Sequence, residues 1–374
     1  MIYLDNCSTT HHKPLSVKMA MLKGIGKYNY NAGRAGYGNA IKASMKVLEL
    51  RQTACDFFGA SDCSNVIITK SCTESLNIAI RSNPKINGNI VTTIFEHNSV
   101  LRTLEYMKQT YGISYTLLTP NKFGKITLDS VKNSIQSNTY MVIINHVSNV
   151  TGSIQDIEGI GKLCHDNKLI YVVDSAQSGG HKRINVNKCH INYLACAGHK
   201  GLLGPQGIGL LICNNAKPNP LLFGGTGTMS DKLQQPTDIP EGIESGTMSV
   251  ANIMALTAGI KYVNQHLEKF EQHEKILTEY LWKEMNETKN VICYSPSDAV
   301  GVISFNINGK TSTEVSQILE QNKIECRSGL HCAPKVHEYY KTLKTGMCRI
   351  GLGYNTTLSQ IKRLINVIKS IAEN

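Results

Sequence analysis

The stretch Ala197-Gly198-His199-Lys200-Gly201-Leu202-Leu203-Gly204-Pro205-Gln206-Gly207-Ile208-Gly209 decides how this chain is read. A lysine directly after a histidine, flanked by glycines and followed by a Gly-Pro turn, has the setting of a placed nucleophile. The glycines let backbone approach a ligand closely and allow dihedrals that other residues avoid. Just upstream, Leu169-Ile170-Tyr171-Val172-Val173-Asp174 is an apolar β-type run ending in a carboxylate. In an α/β sheet that puts Asp174 at a strand's carboxyl end, where ligands bind. Lys200 alone would read as a solvated surface lysine; its pairing with Asp174 changes the reading.

The flanking sequence repeats this pattern. A strand over 66–69 runs into Lys70-Ser71-Cys72-Thr73-Glu74-Ser75 and an apolar helix over 76–80. Such a turn exposes backbone N–H groups at a helix start, a ready phosphate site. A strand over 89–94 ends at Glu96-His97-Asn98-Ser99, where a helix begins, and a β-rich run over 141–146 leads to Asn149. A helix over 156–166 and a strand over 169–174 follow, then Ser175-Ala176-Gln177. Alternation of strands and helices over 60–215 predicts a mainly parallel sheet covered on both faces. Further out, residues 1–14 read as extended, 29–38 as a glycine-rich loop and 40–58 as a helix. Residues 218–247 form a long irregular segment, and a long helical pattern covers 250–285. The last part, 290–374, reads as α+β: strands near 291–294 and 301–307, a helix over 312–321 and a final helix from Thr357. The expected division is a larger unit, 15–250, and a smaller one of 1–14 plus 251–374.

Composition excludes several classes. The formal charge of +11 comes from scattered lysines, with no dense basic cluster or nucleic-acid module. No uncharged apolar run reaches the ~18 residues of a membrane span. The amino terminus has no basic region followed by an apolar core, so no signal peptide is expected and the expected location is the cytoplasm. Twelve cysteines contain no Cys-x-x-Cys pair, so no metal is expected and reduced thiols are the default.

A lysine able to form a Schiff base and an aspartate able to keep a pyridine nitrogen protonated are the groups pyridoxal 5'-phosphate requires. With Tyr3-Leu4-Asp5, Thr73-Glu74-Ser75, Glu96-His97, His146-Val147-Ser148-Asn149, Val173-Asp174 with Gln177, Gly198-His199-Lys200, Gly204-Pro205, Ser245-Gly246-Thr247, Arg327-x-Gly-x-x-Cys332-Ala333 and Arg349 in this order, the chain resembles the cysteine desulfurases of the class V, fold-type I pyridoxal-phosphate family. The resemblance covers nearly the whole length. It implies a large, mainly parallel-sheet domain and a smaller α+β domain. It also implies that Lys200 anchors the cofactor covalently and moves protons, that Asp174 pairs with the pyridine nitrogen and that His97 stacks on the ring. Asn149 and Gln177 would contact the phenolic oxygen and substrate. Thr73, the backbone near Cys72, and His199 would hold the phosphate, helped by Thr247 from a second subunit. Arg349 would receive the substrate carboxylate in a charge-assisted fork, with Arg327 nearby. Cys332, beside His331 and on a loop without the longer insertion of some relatives, would take sulfur from L-cysteine. A dedicated sulfur-acceptor protein and a homodimer are implied partners.

Three departures from the family pattern stand out: Ala197 where a hydroxyl residue is usual, Tyr37 where histidine is common, and Cys7-Ser8 where Ala-Ala is usual. L-Selenocysteine as substrate, another lyase or aminotransferase reaction on the same cofactor, and a non-catalytic sulfur-carrying scaffold remain the alternatives. Lys200 and Asp174 argue against the last.

Overall fold

The structure, a computed structural model, describes residues 1–33 and 36–373. Arg34 and Ala35 of the expected glycine-rich loop lie outside the described residues. In chain order the elements are β1 (Ile2–Tyr3), α1 (Leu15–Ile25), α2 (Gly38–Phe58), β2 (Val66–Thr69), α3 (Cys72–Arg81), β3 (Asn89–Thr93), α4 (Asn98–Tyr111), β4 (Ser114–Leu118), α5 (Leu128–Ser134), β5 (Thr139–Asn145), α6 (Ile157–Asp166), β6 (Ile170–Asp174), β7 (Tyr193–Ala197) and β8 (Gly209–Cys213). They continue with α7 (Val250–Glu287), β9 (Val291–Cys293), β10 (Val302–Ile307), α8 (Ser312–Gln321), β11 (Ile324–Glu325), β12 (Arg327–Gly329), α9 (Pro334–Tyr339), β13 (Met347–Gly351) and α10 (Leu358–Glu373).

A seven-stranded sheet in the order β2-β8-β7-β6-β5-β3-β4 forms the large layer. All its strands run parallel except β8, which is antiparallel to both neighbours. Every residue of β5, Thr-Tyr-Met-Val-Ile-Ile-Asn, is buried, as a strand covered on both faces requires. Alternate residues go to opposite layers. Val142 and Ile144 pack with α2, α6 and the first half of α7, whereas Met141 and Ile143 pack with α3 and α4. A four-stranded antiparallel sheet, β12-β13-β10-β9, forms the second layer with α8 and α10, and β1 pairs with β11 beside it.

Helix α7 joins the two cores. Ile253, Leu256 and Ile260 lie in the first; Leu277, Leu281 and Met285 lie in the second. Ser249 caps its start by accepting from the Asn252 N–H. Helix α8 begins with a reciprocal capping box between Thr311 and Glu314.

The sequence pattern misplaced some boundaries. Helix α3 starts at Cys72, four residues before its first apolar position, because Ser71 caps it through the Glu74 N–H. The last strand of the large sheet, β8, is reversed because the Gly-Pro segment folds β7 and β8 into a hairpin. Short elements such as β11, β12 and α9 carry too few residues for a periodicity.

The long segment before α7 is fastened by a buried ion pair. Arg51 on α2 donates to Glu244 through both terminal nitrogens and to the carbonyl of Val66. Glu244 also accepts the Ile68 N–H at 2.6 Å. Removing one partner of a buried pair leaves an uncompensated charge. Glu244→Ala is therefore expected to lower unfolding free energy by about 3–5 kcal/mol, measured by urea denaturation.

Candidate active site

The carboxyl ends of β2, β3, β5, β6 and β7 meet the β12–β13 edge of the small sheet across a cavity of about 240 Å³. Cys72, Thr73, His97, Asn149, Asp174, Gln177, His199, Lys200, Arg327, Cys332 and Arg349 all line it. The residues singled out in the sequence thus converge, with one exception. Thr247 lies instead on a separate cavity beside Ile68, Lys70 and Ser249, and is exposed.

Asp174 is the last residue of β6 and is 2 % exposed. One of its carboxylate oxygens accepts the Ala176 N–H at 2.8 Å and faces the Cys72 thiol at 3.6 Å. Burial and this carboxylate hold the Cys72 thiol well above its ordinary pKa, so it stays protonated. The β5–β6 register sets Asn145 beside Asp174. Glu96, fully buried, accepts the Asn145 N–H at 3.0 Å and the Thr93 hydroxyl at 2.8 Å, tying β3 to β5 at this edge. Burial pushes the Glu96 carboxyl up to about 8.

Lys200 sits in the turn between β7 and β8. Its carbonyl accepts from the Thr10 hydroxyl at 3.0 Å and the Leu203 N–H at 2.9 Å. Gly201 is needed here: a Cβ would lie 2.4 Å from the Gly179 carbonyl oxygen. Desolvation pulls the Lys200 ammonium below its ordinary pKa, and Asp174 opposes that pull. His199 is neutral for the same reason, its pKa lowered by burial and by Lys200 and Lys13 to about 4.

His97 caps α4, its Nδ1 accepting the Ser99 N–H at 3.1 Å. That bond fixes the ring and leaves the other nitrogen to carry the proton of the neutral form. Desolvation lowers the His97 pKa, Asp174 opposing. The α4 start also reaches the second layer: the Asn98 N–H donates to the Cys332 carbonyl at 2.7 Å.

Cys332 is exposed, and both it and His331 have left-handed backbone, with φ of 57° and 49°. Such dihedrals in non-glycine residues persist only where the surroundings impose them. Here the bonds to the turn impose them: Asn149 donates its side-chain amide to the His331 carbonyl at 2.6 Å, and His331 Nε2 meets the Met347 carbonyl at 3.0 Å.

Arg349, 2 % exposed, donates to the Asn149 carbonyl, to Asp5 and to Ser8, each at 2.9 Å. Arg327, directly opposite in register, reaches Ser8 at 2.9 Å. Asp5 and Ser8 went unassigned as site residues from sequence; over three hundred positions separate them from both arginines, so no local pattern links them. Of the departures, Ala197 and Cys7-Ser8 line the cavity, whereas Tyr37 is exposed beside Tyr30.

Four buried polar atoms around the cavity have no hydrogen-bond partner among the described residues: Asn149 Oδ1, His199 Nδ1, His331 Nδ1 and Arg349 Nε. Buried polar atoms are normally satisfied, so an acceptor for a guanidinium and partners for an amide oxygen and two imidazoles belong here. With the first turn of α3 directed at the same space, the cavity can hold an anion, a carboxylate and a ring between His97 and Asp174.

Residues 2–364 match the sequence model of the family Aminotransferase class-V. A probable cysteine desulfurase of Methanothermobacter thermautotrophicus is 31% identical over 99% of this chain and 94% of its own length. One from Pyrococcus abyssi is 31% identical over 100% and 95%. The apo structure of cysteine desulfurase from Thermococcus onnurineus superposes with a TM-score of 0.92 at 32% identity, covering 100% of this chain and 94% of that one. The chain belongs to the class-V aminotransferase family, among its cysteine desulfurases.

Proposed function

We propose that this protein is a pyridoxal 5'-phosphate-dependent cysteine desulfurase that converts L-cysteine to L-alanine and keeps the sulfur as a persulfide on Cys332. The observation that carries the reading is the convergence of Lys200, Asp174, Arg349 and an exposed cysteine on one cavity.

The residues present fit the cofactor. Asp174 has one carboxylate oxygen without a hydrogen bond among the described residues, suited to a protonated pyridine nitrogen. His97 supplies a fixed flat ring, Asn149 and Gln177 polar atoms at the ring edge, and His199 with the α3 start and Thr73 a phosphate cradle. When bound, pyridoxal phosphate supplies an electron sink for a carbanion next to the substrate amine.

The protein's groups do the rest. Arg349 takes the substrate carboxylate, its buried Nε gaining the acceptor it lacks. Lys200, its pKa lowered by burial, removes the Cα proton and returns protons later. The Cys332 sulfur then forms a bond to the substrate sulfur as the carbon–sulfur bond breaks. The electron pair stays with the carbon, which is protonated to the methyl group of alanine. A thiol of an acceptor protein then attacks the outer sulfur of the Cys332 persulfide, forming its own persulfide and releasing the Cys332 thiolate.

In this reading residues 15–250 hold the cofactor, and 1–14 with 251–374, whose α7 start packs in the larger core, bring Cys332 and Arg349. A homodimer completes the reading. Leu15, Leu22, Met45 and Leu48 on α1 and α2, with Phe223 and Leu233 on the long segment, are exposed apolar side chains suited to a second copy. Thr247 would reach the neighbouring site, and the setting would be the cytoplasm.

Four outcomes are expected. Purified protein with cofactor should be yellow, and Lys200→Ala should lose the adduct that borohydride fixes between cofactor and peptide, read by mass spectrometry. Cys332→Ala should still bind cofactor yet form almost no alanine from cysteine, while wild-type protein carries an added sulfur on the Cys332 peptide. The same variant should keep a measurable share of selenocysteine turnover, because selenium leaves carbon more readily. Light scattering should give twice the chain mass of 41.2 kDa; a fully active monomer would remove Thr247 from the site.

A further inference from the structure

We infer that Ser8 is a specificity-determining positioning residue: its hydroxyl yokes Arg327 to Arg349 and makes the pair one carboxylate-receiving unit. The inference rests on the desulfurase reading of the site and deepens it.

The geometry is specific. Ser8 Oγ accepts from Arg327 Nη1 at 2.9 Å and from Arg349 Nη2 at 2.9 Å, and donates to Asp5 Oδ1 at 2.8 Å. A hydroxyl has one donor and two acceptor positions, so this one is fully used. The two guanidiniums lie opposite each other in the β12–β13 register and are held two hydrogen-bond lengths apart through one atom. Two like charges at such separation repel, so something must hold them. The Asp5 carboxylate, 2.9 Å from Arg349 Nη2, partly neutralises the pair, and Ser8 supplies the bridge.

The arginines depend on that bridge unequally. Arg349 is buried and keeps Asn149 and Asp5 without Ser8. Arg327 is exposed, and its only side-chain hydrogen bond among the described residues runs to Ser8. Without the hydroxyl, Arg327 would be free to swing into solvent and pay rotamer entropy whenever a substrate arrived. Ser8 thus acts through Arg327, holding its charge at the cavity wall before substrate enters, which is preorganisation. Its placement two residues beyond Asn6, whose side-chain amide donates to the Gly351 carbonyl at 3.0 Å, ties the bridge to the same strand that bears Arg349.

The test uses cofactor-loaded full-length protein and two readouts, cysteine kinetics and the Kd of thioglycolate, which has a carboxylate and a thiol but no amine. Ser8→Ala should raise KM for cysteine and the thioglycolate Kd by roughly tenfold, the scale of a lost hydrogen bond to a charged group, with kcat unchanged. Ser8→Thr, which keeps the hydroxyl, should restore both. In a double-mutant cycle, Ser8→Ala added to Arg327→Ala should weaken thioglycolate no further, since residues acting as one unit are non-additive. Wild-type KM and Kd in Ser8→Ala, or additive losses in the cycle, would overturn the inference and leave the desulfurase reading standing. A wild-type protein that neither turns over cysteine nor binds thioglycolate would overturn both.

Discussion

The structure depends on holding a carboxylate in place where it is almost wholly shielded from solvent. Asp174 is 2 % exposed at the end of a strand whose neighbours are buried on both faces. Isolated there, a carboxylate would protonate or disrupt the core. The fold meets this by ending β6 at the rim, so that Asp174 lies where the backbone turns and the Ala176 N–H becomes free to donate to it. Lys200 lies on the next strand's exit, where burial disfavours its ammonium and the Asp174 carboxylate favours it. The two opposing influences leave the Lys200 ammonium below its ordinary pKa beside a carboxylate fixed by the backbone.

The parallel sheet makes the balance possible. Parallel strands deliver all their carboxyl ends to one edge, so a single register places Asn145, Asp174 and Ala195 side by side. Glu96 stitches β3 into that row by accepting from Asn145, and the next residue, His97, is thereby delivered as the α4 cap. The reversed strand β8 has its own role. A hairpin between β7 and β8, in place of a helical crossover, keeps Lys200 in a short turn braced by Thr10 and by glycine-to-glycine packing at Gly179 and Gly201.

Much of this was legible in the sequence, for identifiable reasons. Strands β2, β5 and β6 were legible because burial on both faces leaves apolar runs, although β5 begins two residues before the expected start at Met141; β6 ends in Asp174 at the site. Lys200 and Asp174 stand out in the sequence because their types are chemically demanding and their settings local. The antiparallel β8 could not be read, since a reversed strand has the same composition as a parallel one. The β12–β13 strands, Arg-Ser-Gly and Met-Cys-Arg-Ile-Gly, escaped because their arginines and glycines interrupt any apolar run. Asp5 and Ser8 escaped as site residues because what defines them is a tertiary contact with arginines at the other end of the chain.

That tertiary contact also explains how two separate cores make one site. The amino-terminal segment pairs through β1 with β11, bridges Asp5 to Gly351, and then passes under the Lys200 turn, where Thr10 and Lys13 hold the carbonyls of Lys200 and His199. Within thirteen residues it therefore touches the arginine strand of the small sheet and the lysine turn of the large one. Helix α7 joins the same two cores from the far side, but as a single rigid rod it fixes only their separation and tilt. The amino-terminal segment fixes the approach of Arg349 to Lys200 in the cavity itself. Cys332 completes the set from the same side, its turn held by Asn98 and Asn149 of the large layer. A substrate bound by its carboxylate on one layer and its amine on the other would thus be presented to a thiol whose own position is set by both.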